Sequence, residues 1–163
     1  MRNCCQCSYI SPVGKLLLTY RENALTSLCF GKEGFPDGRA GRRTDAVPAV
    51  VFRFLDDYFA GCNPQRKGFR LAFRGTPFQQ SVWEEIQEIP YGDIVTYGEI
   101  ARRVARKAGV ERMSAQAVGQ AVGRNPVAII VPCHRVVGAD GPGGYAWGLE
   151  KKHFLLELEG NFF

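Results

Sequence analysis

Short alternations of apolar and polar residues dominate the first part of the chain. They cover residues 7–10, 15–20 and 25–30, and segments with turn-forming residues separate them. Because successive side chains of a strand point to opposite faces, these runs predict an antiparallel meander. Apolar residues then recur at helical spacing, at Val50, Val51, Phe54, Leu55, Tyr58 and Phe59. The pattern predicts an α/β N-terminal domain in which one helix covers a small antiparallel sheet.

Glycine and proline mark the segments that are expected to lack regular structure. Residues 31–48 are rich in Gly, Arg and Pro and predict an exposed loop. Leu71-Ala72-Phe73 predicts one more short strand, and Gly75-Thr76-Pro77 has the composition of a linker that runs into a helix. We therefore expect two domains, at residues 1–75 and 76–163.

The second domain is predicted to be mainly α-helical. Thr76 is a candidate N-cap for a helix with a regular apolar face, and Pro90-Tyr91-Gly92 ends that helix. Thr96 followed by Glu99 has the spacing of a capping box and opens a second helix.

A helix-turn-helix of the winged-helix type is indicated next. Gly109 lies in the expected turn, Ser114 is a candidate N-cap, and small residues fill the following helix up to Gly123. Small side chains on a helix permit close approach to a ligand. A plain pair of antiparallel helices has the same pattern and is the alternative.

The composition indicates a soluble globular protein. The 163 residues are 45% hydrophobic and 12% aromatic, enough to bury a core. Apolar runs near the N-terminus are far shorter than a membrane span and do not form a signal peptide, so we expect no membrane partner. The expected location is cytoplasmic, with the nucleoid in a prokaryote, and nuclear in a eukaryote. Cys4 and Cys7 form a CxxC motif, but no second CxxC and only two histidines accompany it, so no metal site is expected.

Positive charge is concentrated around the predicted helix-turn-helix. The net charge of the chain is +5, and between positions 100 and 124 the acidic residue Glu111 stands among basic ones. The basic residues are Arg102, Arg103, Arg106, Lys107, Arg112 and Arg124. This local excess suits a phosphate backbone, whereas an ordinary solvated helix face is the alternative.

A cysteine follows an apolar run in the second domain. Residues 127–131 are apolar and predict a buried strand that leads through Pro132 to Cys133. His134 and Arg135 place an imidazole and a positive charge next to the thiol in sequence, which are surroundings that favour thiolate. A buried packing cysteine is the alternative. Cys-His-Arg is poor packing material, so we interpret Cys133 as a nucleophile.

Residues 77–163 closely resemble one family, the O6-alkylguanine-DNA alkyltransferases, also called methylated-DNA–protein-cysteine methyltransferases. The N-terminal part resembles it in outline, with Ser11-Pro12-Val13-Gly14-Lys15 as its one good match. The matching motifs of the second domain are Phe78-Gln79-Gln80 with Trp83, Ile89-Pro90-Tyr91-Gly92, Thr96-Tyr97, Ala117-Val118-Gly119, Asn125-Pro126, Pro132-Cys133-His134-Arg135-Val136, Gly144-Tyr145, and Lys152 with Leu155-Leu156.

The resemblance implies DNA repair by direct alkyl transfer. Cys133 would take an alkyl group, chiefly methyl, irreversibly from O6 of guanine, with O4 of thymine as an alternative substrate. His134, Asn125 and Glu159 would hold the cysteine, and the imidazole would remove the thiol proton through a water. Each molecule would act once, and no cofactor is expected. Glu159 as a solvated charge at the end of a helix is the alternative.

The resemblance also assigns a guanine pocket. The Tyr97 hydroxyl would face guanine N3, and the Ala146 backbone N–H would face O6. The backbone carbonyls of Cys133 and Val136 would accept the exocyclic amine, and Tyr145 would line the wall. Trp147 stands where many relatives have glycine and is expected to narrow the alkyl pocket.

Duplex DNA bound through the minor groove is the partner that the resemblance implies, and the damaged base would be flipped out. A monomer is expected. The implied DNA-contacting residues are Arg112, Ser114, Ala115, Gln116, Ala117, Gly119, Arg124 and Arg135. Gln116 departs from the arginine of many relatives that fills the vacated stack, and Arg112 and Arg124 are candidates to compensate.

Three other functions are alternatives to alkyl transfer. A non-catalytic relative that senses alkylated DNA would lack the cysteine, which this chain has at position 133. A cysteine hydrolase or thiol-redox enzyme is disfavoured because no second cysteine lies near Cys133 and sequence neighbours seldom form a nucleophile–base pair. A DNA-binding regulator would leave residues 132–136 unexplained.

Overall fold

A computed structural model describes residues 4–31 and 47–162, so most of the loop predicted at residues 31–48 lies outside the described residues. Contacts divide the chain into two compact units. The first comprises Met1–Phe73 with Pro126–Ala128, and the second comprises Arg74–Asn125 with Ile129–Phe163.

The first unit is a sheet with one helix. Its described elements are β1 (Cys4–Ser11), β2 (Gly14–Arg21), β3 (Ala24–Phe30), α1 (Ala49–Phe59) and β4 (Arg70–Leu71). The first three strands form the predicted antiparallel meander. β4 pairs with β3 in parallel, so the expectation of a purely antiparallel sheet is wrong. The buried face of α1 is Val51, Phe52, Leu55 and Tyr58, which places the apolar stripe close to the predicted one.

Residues 126–128 pair with β3, which explains their place in the first unit. The Leu28 N–H donates to the Pro126 carbonyl at 2.9 Å, and the Ala128 N–H donates to the Leu28 carbonyl at 2.7 Å. The chain then turns, with Ile129 at φ 69°. The predicted strand over residues 127–131 is therefore wrong. All five of these apolar residues are buried. A short apolar run alone does not distinguish a strand from a buried turn.

The second unit is mainly helical, as predicted. Its described elements are α2 (Pro77–Gln87), β5 (Val95–Thr96), α3 (Tyr97–Ala108), α4 (Ala115–Gly123), a short 3₁₀ helix (Cys133–Arg135), β6 (Val136–Val137) and α5 (Leu149–Leu158). The helices α2, α3 and α4 pack against one another.

The predicted N-caps of three helices are confirmed. The Thr76 hydroxyl accepts the Gln79 N–H and the Gln79 side chain accepts the Thr76 N–H, which completes a capping box. Thr96 and Ser114 cap α3 and α4 in the same way through their hydroxyls. Glu99 directs its carboxylate to two arginines of its own helix, so only the Thr96 half of the second predicted capping box forms.

Trp83 anchors the core of the second unit. Its indole is 1% exposed, and its Nε1–H donates to the Ala121 carbonyl at 2.9 Å. Gly75 has to be a glycine, because a Cβ there would lie 2.5 Å from the Trp83 ring. Within the described ranges, no helix has the length and apolar character needed to cross a membrane.

Candidate active site

Two short parallel strands place Tyr97 close to the loop that follows Cys133. Val95 pairs with Val136 and Thr96 with Val137, so the residues after both strands leave the sheet side by side. Gly143 returns against this corner at φ 73°, where a Cβ would lie 2.9 Å from a ring carbon of Tyr97. Glycine is therefore required there by both backbone conformation and space.

The Cys133 thiol is buried inside the second unit. Burial raises the pKa of this thiol from 9.0 to about 11, although Asn125, Lys152 and Tyr145 oppose the rise through hydrogen bonds and charge. The expectation that its sequence neighbours His134 and Arg135 favour a resting thiolate is therefore wrong. At neutral pH the thiol keeps its proton, and a base has to remove it before it can attack carbon.

His134 lies beside Cys133 in sequence and forms a buried pair with Glu159. Its Nε2 is 2.8 Å from Glu159 Oε1, and both side chains are 0% exposed. Burial lowers the pKa of the imidazole, so His134 is neutral. Since the carboxylate can only accept, Nε2 carries the proton and Nδ1 is the basic nitrogen. The alternative of a solvated Glu159 is excluded.

Arg135 binds the same carboxylate from the other side. Its Nε donates to Glu159 Oε2 and its Nη2 to Oε1, both at 2.8 Å. Burial alone would raise the pKa of Glu159, but hydrogen bonds from His134 and Arg135, together with the positive charge of Arg135, lower it to about 2. The guanidinium is thus directed inward, and the expected contact of Arg135 with DNA is wrong.

Asn125 connects the end of α4 to the bend before Cys133. Its Nδ2 donates to the Val131 carbonyl at 2.8 Å, and both groups are buried. The Cys133 N–H donates to the same carbonyl at 2.8 Å. The Asn125 side chain also hydrogen-bonds to the sulfur, which lowers the pKa of Cys133. One amide therefore fixes both the loop and the thiol.

Aromatic side chains surround the thiol. The Tyr97 hydroxyl donates to the Gly144 carbonyl at 3.4 Å. Burial raises the pKa of Tyr97, and a thiolate at Cys133 would raise it further. Tyr145 hydrogen-bonds to the sulfur, and its ring meets Trp147 edge to face with centroids 5.3 Å apart. Ala146, which lies between Tyr145 and Trp147 in the sequence, is exposed.

Lys152 is a site residue that the sequence reasoning missed. Its ammonium is buried and donates to the Val136 carbonyl at 2.7 Å and to the Gly144 carbonyl at 2.9 Å. Burial lowers the pKa of Lys152 to about 8, and a thiolate at Cys133 would oppose this shift. The available signal was its spacing before Leu155 and Leu156, which places the lysine on the buried face of α5. The Val136 carbonyl, expected to bind guanine, already accepts this lysine.

The outer face of α4 is accessible. Ser114, Ala115 and Gln116 are exposed, and Ala117 and Gly119 are half-buried. Gly119 faces the Tyr97 ring, which a Cβ would approach to 3.9 Å. Arg112 and Arg124 are exposed at either end of the helix. All the expected DNA-contacting residues except Arg135 are therefore at least partly exposed.

The first unit contains the other cysteines of the chain. Cys4 and Cys62 are exposed, and burial raises the pKa of Cys7 to about 11. Among the residues that the structure describes, no three His, Cys, Asp or Glu side chains are grouped so that they could hold a metal ion.

Comparison with known proteins places this site in a family. The family described as 6-O-methylguanine DNA methyltransferase, DNA binding domain, matches residues 77–161. A methylated-DNA–protein-cysteine methyltransferase of Methanosarcina acetivorans is 44% identical over 156 residues, which cover 93% of this chain and 95% of the relative.

Solved structures from Mycobacterium tuberculosis are similar over most of the chain. The crystal structure of an O6-methylguanine methyltransferase has a TM-score of 0.80 at 39% identity and covers 96% of this chain and 92% of its own. A structure of OGT in complex with DNA has a TM-score of 0.79 at 39% identity and covers 94% and 91%. The chain shares this fold and belongs to the 6-O-methylguanine DNA methyltransferase family.

Proposed function

We propose that this protein repairs DNA by transferring an alkyl group, chiefly methyl, from guanine O6 to Cys133. Its relatives are named for methylated DNA as donor and a protein cysteine as acceptor. Cys133 is the one cysteine of the matched segment, residues 77–161. The observation that carries the proposal is the buried thiol followed directly by His134, whose imidazole is hydrogen-bonded to an ionised carboxylate.

The first step is removal of the thiol proton. Because burial raises the pKa of Cys133 to about 11, thiolate is scarce at rest. The neutral His134 can take this proton at Nδ1, through one water, while Glu159 stabilises the imidazolium that forms. A buried thiol that keeps its proton at rest is protected from side reactions with other electrophiles.

The second step is displacement at the alkyl carbon. The bond from Cys133 Sγ to that carbon forms as the bond from carbon to O6 breaks. The thiol proton, held first on the imidazole, returns through water to the departing base, which leaves as neutral guanine. The departing guanine takes up negative charge, so hydrogen-bond donors near it accelerate the reaction. The Tyr97 hydroxyl, beside the thiol, has one proton, which contacts the Gly144 carbonyl at rest and would turn to guanine N3 in the complex. The exposed Ala146 lies in the same loop, where its N–H can reach O6.

The backbone carbonyls of Cys133 and Val136 would recognise guanine, although each already accepts one hydrogen bond. The Val136 carbonyl already accepts Lys152, and the Cys133 carbonyl accepts the Val136 N–H. Each oxygen has a second lone pair that can accept the exocyclic amine of guanine. Lys152 then orients the Val136 carbonyl and adds positive charge beside the leaving base.

Duplex DNA reaches the site through α4 in its minor groove, with α3 and α4 acting as a helix-turn-helix of the winged type. The small residues Ala115, which is exposed, and Ala117, which is half-buried, allow close approach to the backbone. Arg112 and Arg124 are accessible to phosphates. Extrusion of the base costs on the order of a few kcal/mol, less for a weakened pair. Gln116, which is exposed, would fill the vacated stack without a guanidinium.

The test compares two cysteines of opposite exposure. Cys133→Ala should remove no methyl from a duplex that contains O6-methylguanine, and should still bind that duplex. Cys62→Ala, at an exposed position of the first unit, should repair at the wild-type rate. Digestion of the DNA and chromatography of the nucleosides measure the loss of O6-methylguanine. Repair by Cys133→Ala would refute the proposal.

A further inference from the structure

Arg135 is a buried arginine, and each of its three guanidinium nitrogens donates a hydrogen bond within the protein. Beyond its paired contacts with Glu159, its Nη1 donates to the Ile89 carbonyl at 2.7 Å. The guanidinium also lies 5.7 Å from the centroid of the Tyr91 ring. The Gly92 N–H approaches Glu159 Oε2 at 3.5 Å. The turn after α2 therefore positions the guanidinium as well as the carboxylate.

The protonation state of Glu159 decides which nitrogen of His134 is basic. An ionised carboxylate accepts the Nε2 proton and leaves the Nδ1 lone pair as the base. A protonated carboxyl group would instead donate to Nε2, which would put the imidazole proton on Nδ1. Glu159 is 0% exposed, and burial without a cation favours the protonated form. His134 is neutral and supplies no compensating charge.

We propose that Arg135 is a positioning residue for alkyl transfer, which keeps Glu159 ionised and in one plane and so keeps Nδ1 of His134 available to Cys133. The inference rests on the function proposed above. The guanidinium of the Cys-His-Arg motif then acts on the catalytic base, His134, and does not contact DNA. A bidentate fork holds a carboxylate plane in a way that a point charge cannot.

Several charged groups face this cluster and shape its pH dependence. Glu159, directly after α5, hydrogen-bonds to His134. The charges of Arg135, in the 3₁₀ helix, and of Lys152, in α5, also act on the imidazole. Arg135 and Lys152 both oppose protonation of the imidazole, whereas Glu159 favours it. Cys133 is coupled to Lys152 and completes the set. Removing the guanidinium therefore moves the acidic limb of the rate profile to higher pH, through Glu159 and through His134 alike.

The first experiment observes the tautomer without any DNA. The chain has two histidines, so selective nitrogen-15 labelling of histidine gives two imidazoles, and His153→Gln assigns them. In the wild type, His134 should show a protonated Nε2 and an unprotonated Nδ1 at pH 7. In Arg135→Met the proton should move to Nδ1, and Arg135→Lys should show a mixture of both forms. Arg53→Lys, at an exposed position of α1, should leave the spectrum unchanged.

The second experiment measures single-turnover methyl transfer from duplex DNA between pH 5.5 and 9. Arg135→Lys should lower the rate at neutral pH about ten- to a hundredfold, as misplacement of a reacting group does. Arg135→Met should lower it further and shift the acidic limb to higher pH. In a Glu159→Gln background, Arg135→Lys should change the rate less than about twofold, because its effect passes through the carboxylate.

The outcomes separate this inference from the function on which it rests. A wild-type tautomer and an unchanged pH profile in folded Arg135→Lys, or equal losses in both backgrounds, would overturn the positioning role while methyl transfer to Cys133 stands. Should Arg135→Met fail to fold, Arg135→Lys decides the question. If the wild-type protein transfers no methyl, the proposed function fails, whatever the tautomer.

Discussion

The buried carboxylate of Glu159 provides the sharpest test of how the site is stabilised. Glu159→Gln removes the negative charge that Arg135 and His134 share, and leaves the guanidinium buried without a counterion. Glutamine keeps the shape of the side chain but replaces one acceptor oxygen with a donor that faces other donors. We therefore expect the substitution to destabilise the second unit without emptying its core.

The size of the effect follows from the pKa of Glu159, which falls from 4.5 to about 2. Each unit of pKa corresponds to about 1.4 kcal/mol, so the depression represents about 3 kcal/mol of folding free energy. Loss of one partner from a buried ion pair typically costs about 3–5 kcal/mol, which agrees. A depressed acid stabilises the fold fully above its unfolded pKa. That contribution is lost as pH falls from 4.5 through about 2.

Urea unfolding followed by tryptophan fluorescence measures this stability. Trp83 and Trp147 are the two tryptophans of the chain and both belong to the second unit, so the signal reports on the unit that contains Glu159. At pH 7, Glu159→Gln should lower the free energy of unfolding by about 3–5 kcal/mol, and the difference from wild type should shrink towards pH 2. Glu157→Gln, exposed on α5, should change little. A loss below about 1 kcal/mol, or a difference independent of pH, would refute the reasoning.

Three further predictions concern the pocket and the DNA surface. Trp147 meets Tyr145 beside the thiol, so wild type should react poorly with free O6-benzylguanine, and Trp147→Gly should raise the second-order rate constant; equal constants would remove Trp147 from the pocket wall. Arg112→Ala or Arg124→Ala should weaken binding to damaged and undamaged duplex alike, and each should reduce the slope of log affinity against log salt concentration by about one unit. Gln116→Arg should speed single-turnover repair if filling of the vacated stack limits the rate. Gly143→Ala should displace the Tyr97 ring and slow transfer, and an unchanged rate would contradict the role of Tyr97.

Local signals in the sequence predicted most of the secondary structure. The strands of the meander, the helix over them and the three N-caps depend on periodicity and on one or two neighbouring residues, which a sequence displays directly. The parallel pairing of β4 and the turn at Ile129 depend on partners far away in the chain. Nothing in the residues of either segment specifies those partners.

The site was predictable in its membership and less so in its electrostatics. The resemblance grouped Cys133, His134, Asn125 and Glu159, and the structure joins Asn125 to Cys133 and His134 to Glu159 by hydrogen bonds. Adjacency in sequence suggested that Arg135 acts on the thiol or on DNA, but the direction of a side chain in a 3₁₀ helix decides its partner, and that partner is Glu159. Burial, which a sequence shows poorly, reversed the expected pKa shift of Cys133.

The intact mass of the protein after reaction with methylated DNA tests the central claim most directly. With an excess of duplex containing O6-methylguanine, each molecule should gain the mass of one methyl group and no more, and peptide mapping should place it on Cys133. The plateau should stay at one methyl per molecule however long the incubation lasts, because the thioether has no route to cleavage. Repeated turnover, or methylation of Cys4, Cys5 or Cys62 with Cys133 unmodified, would contradict the account.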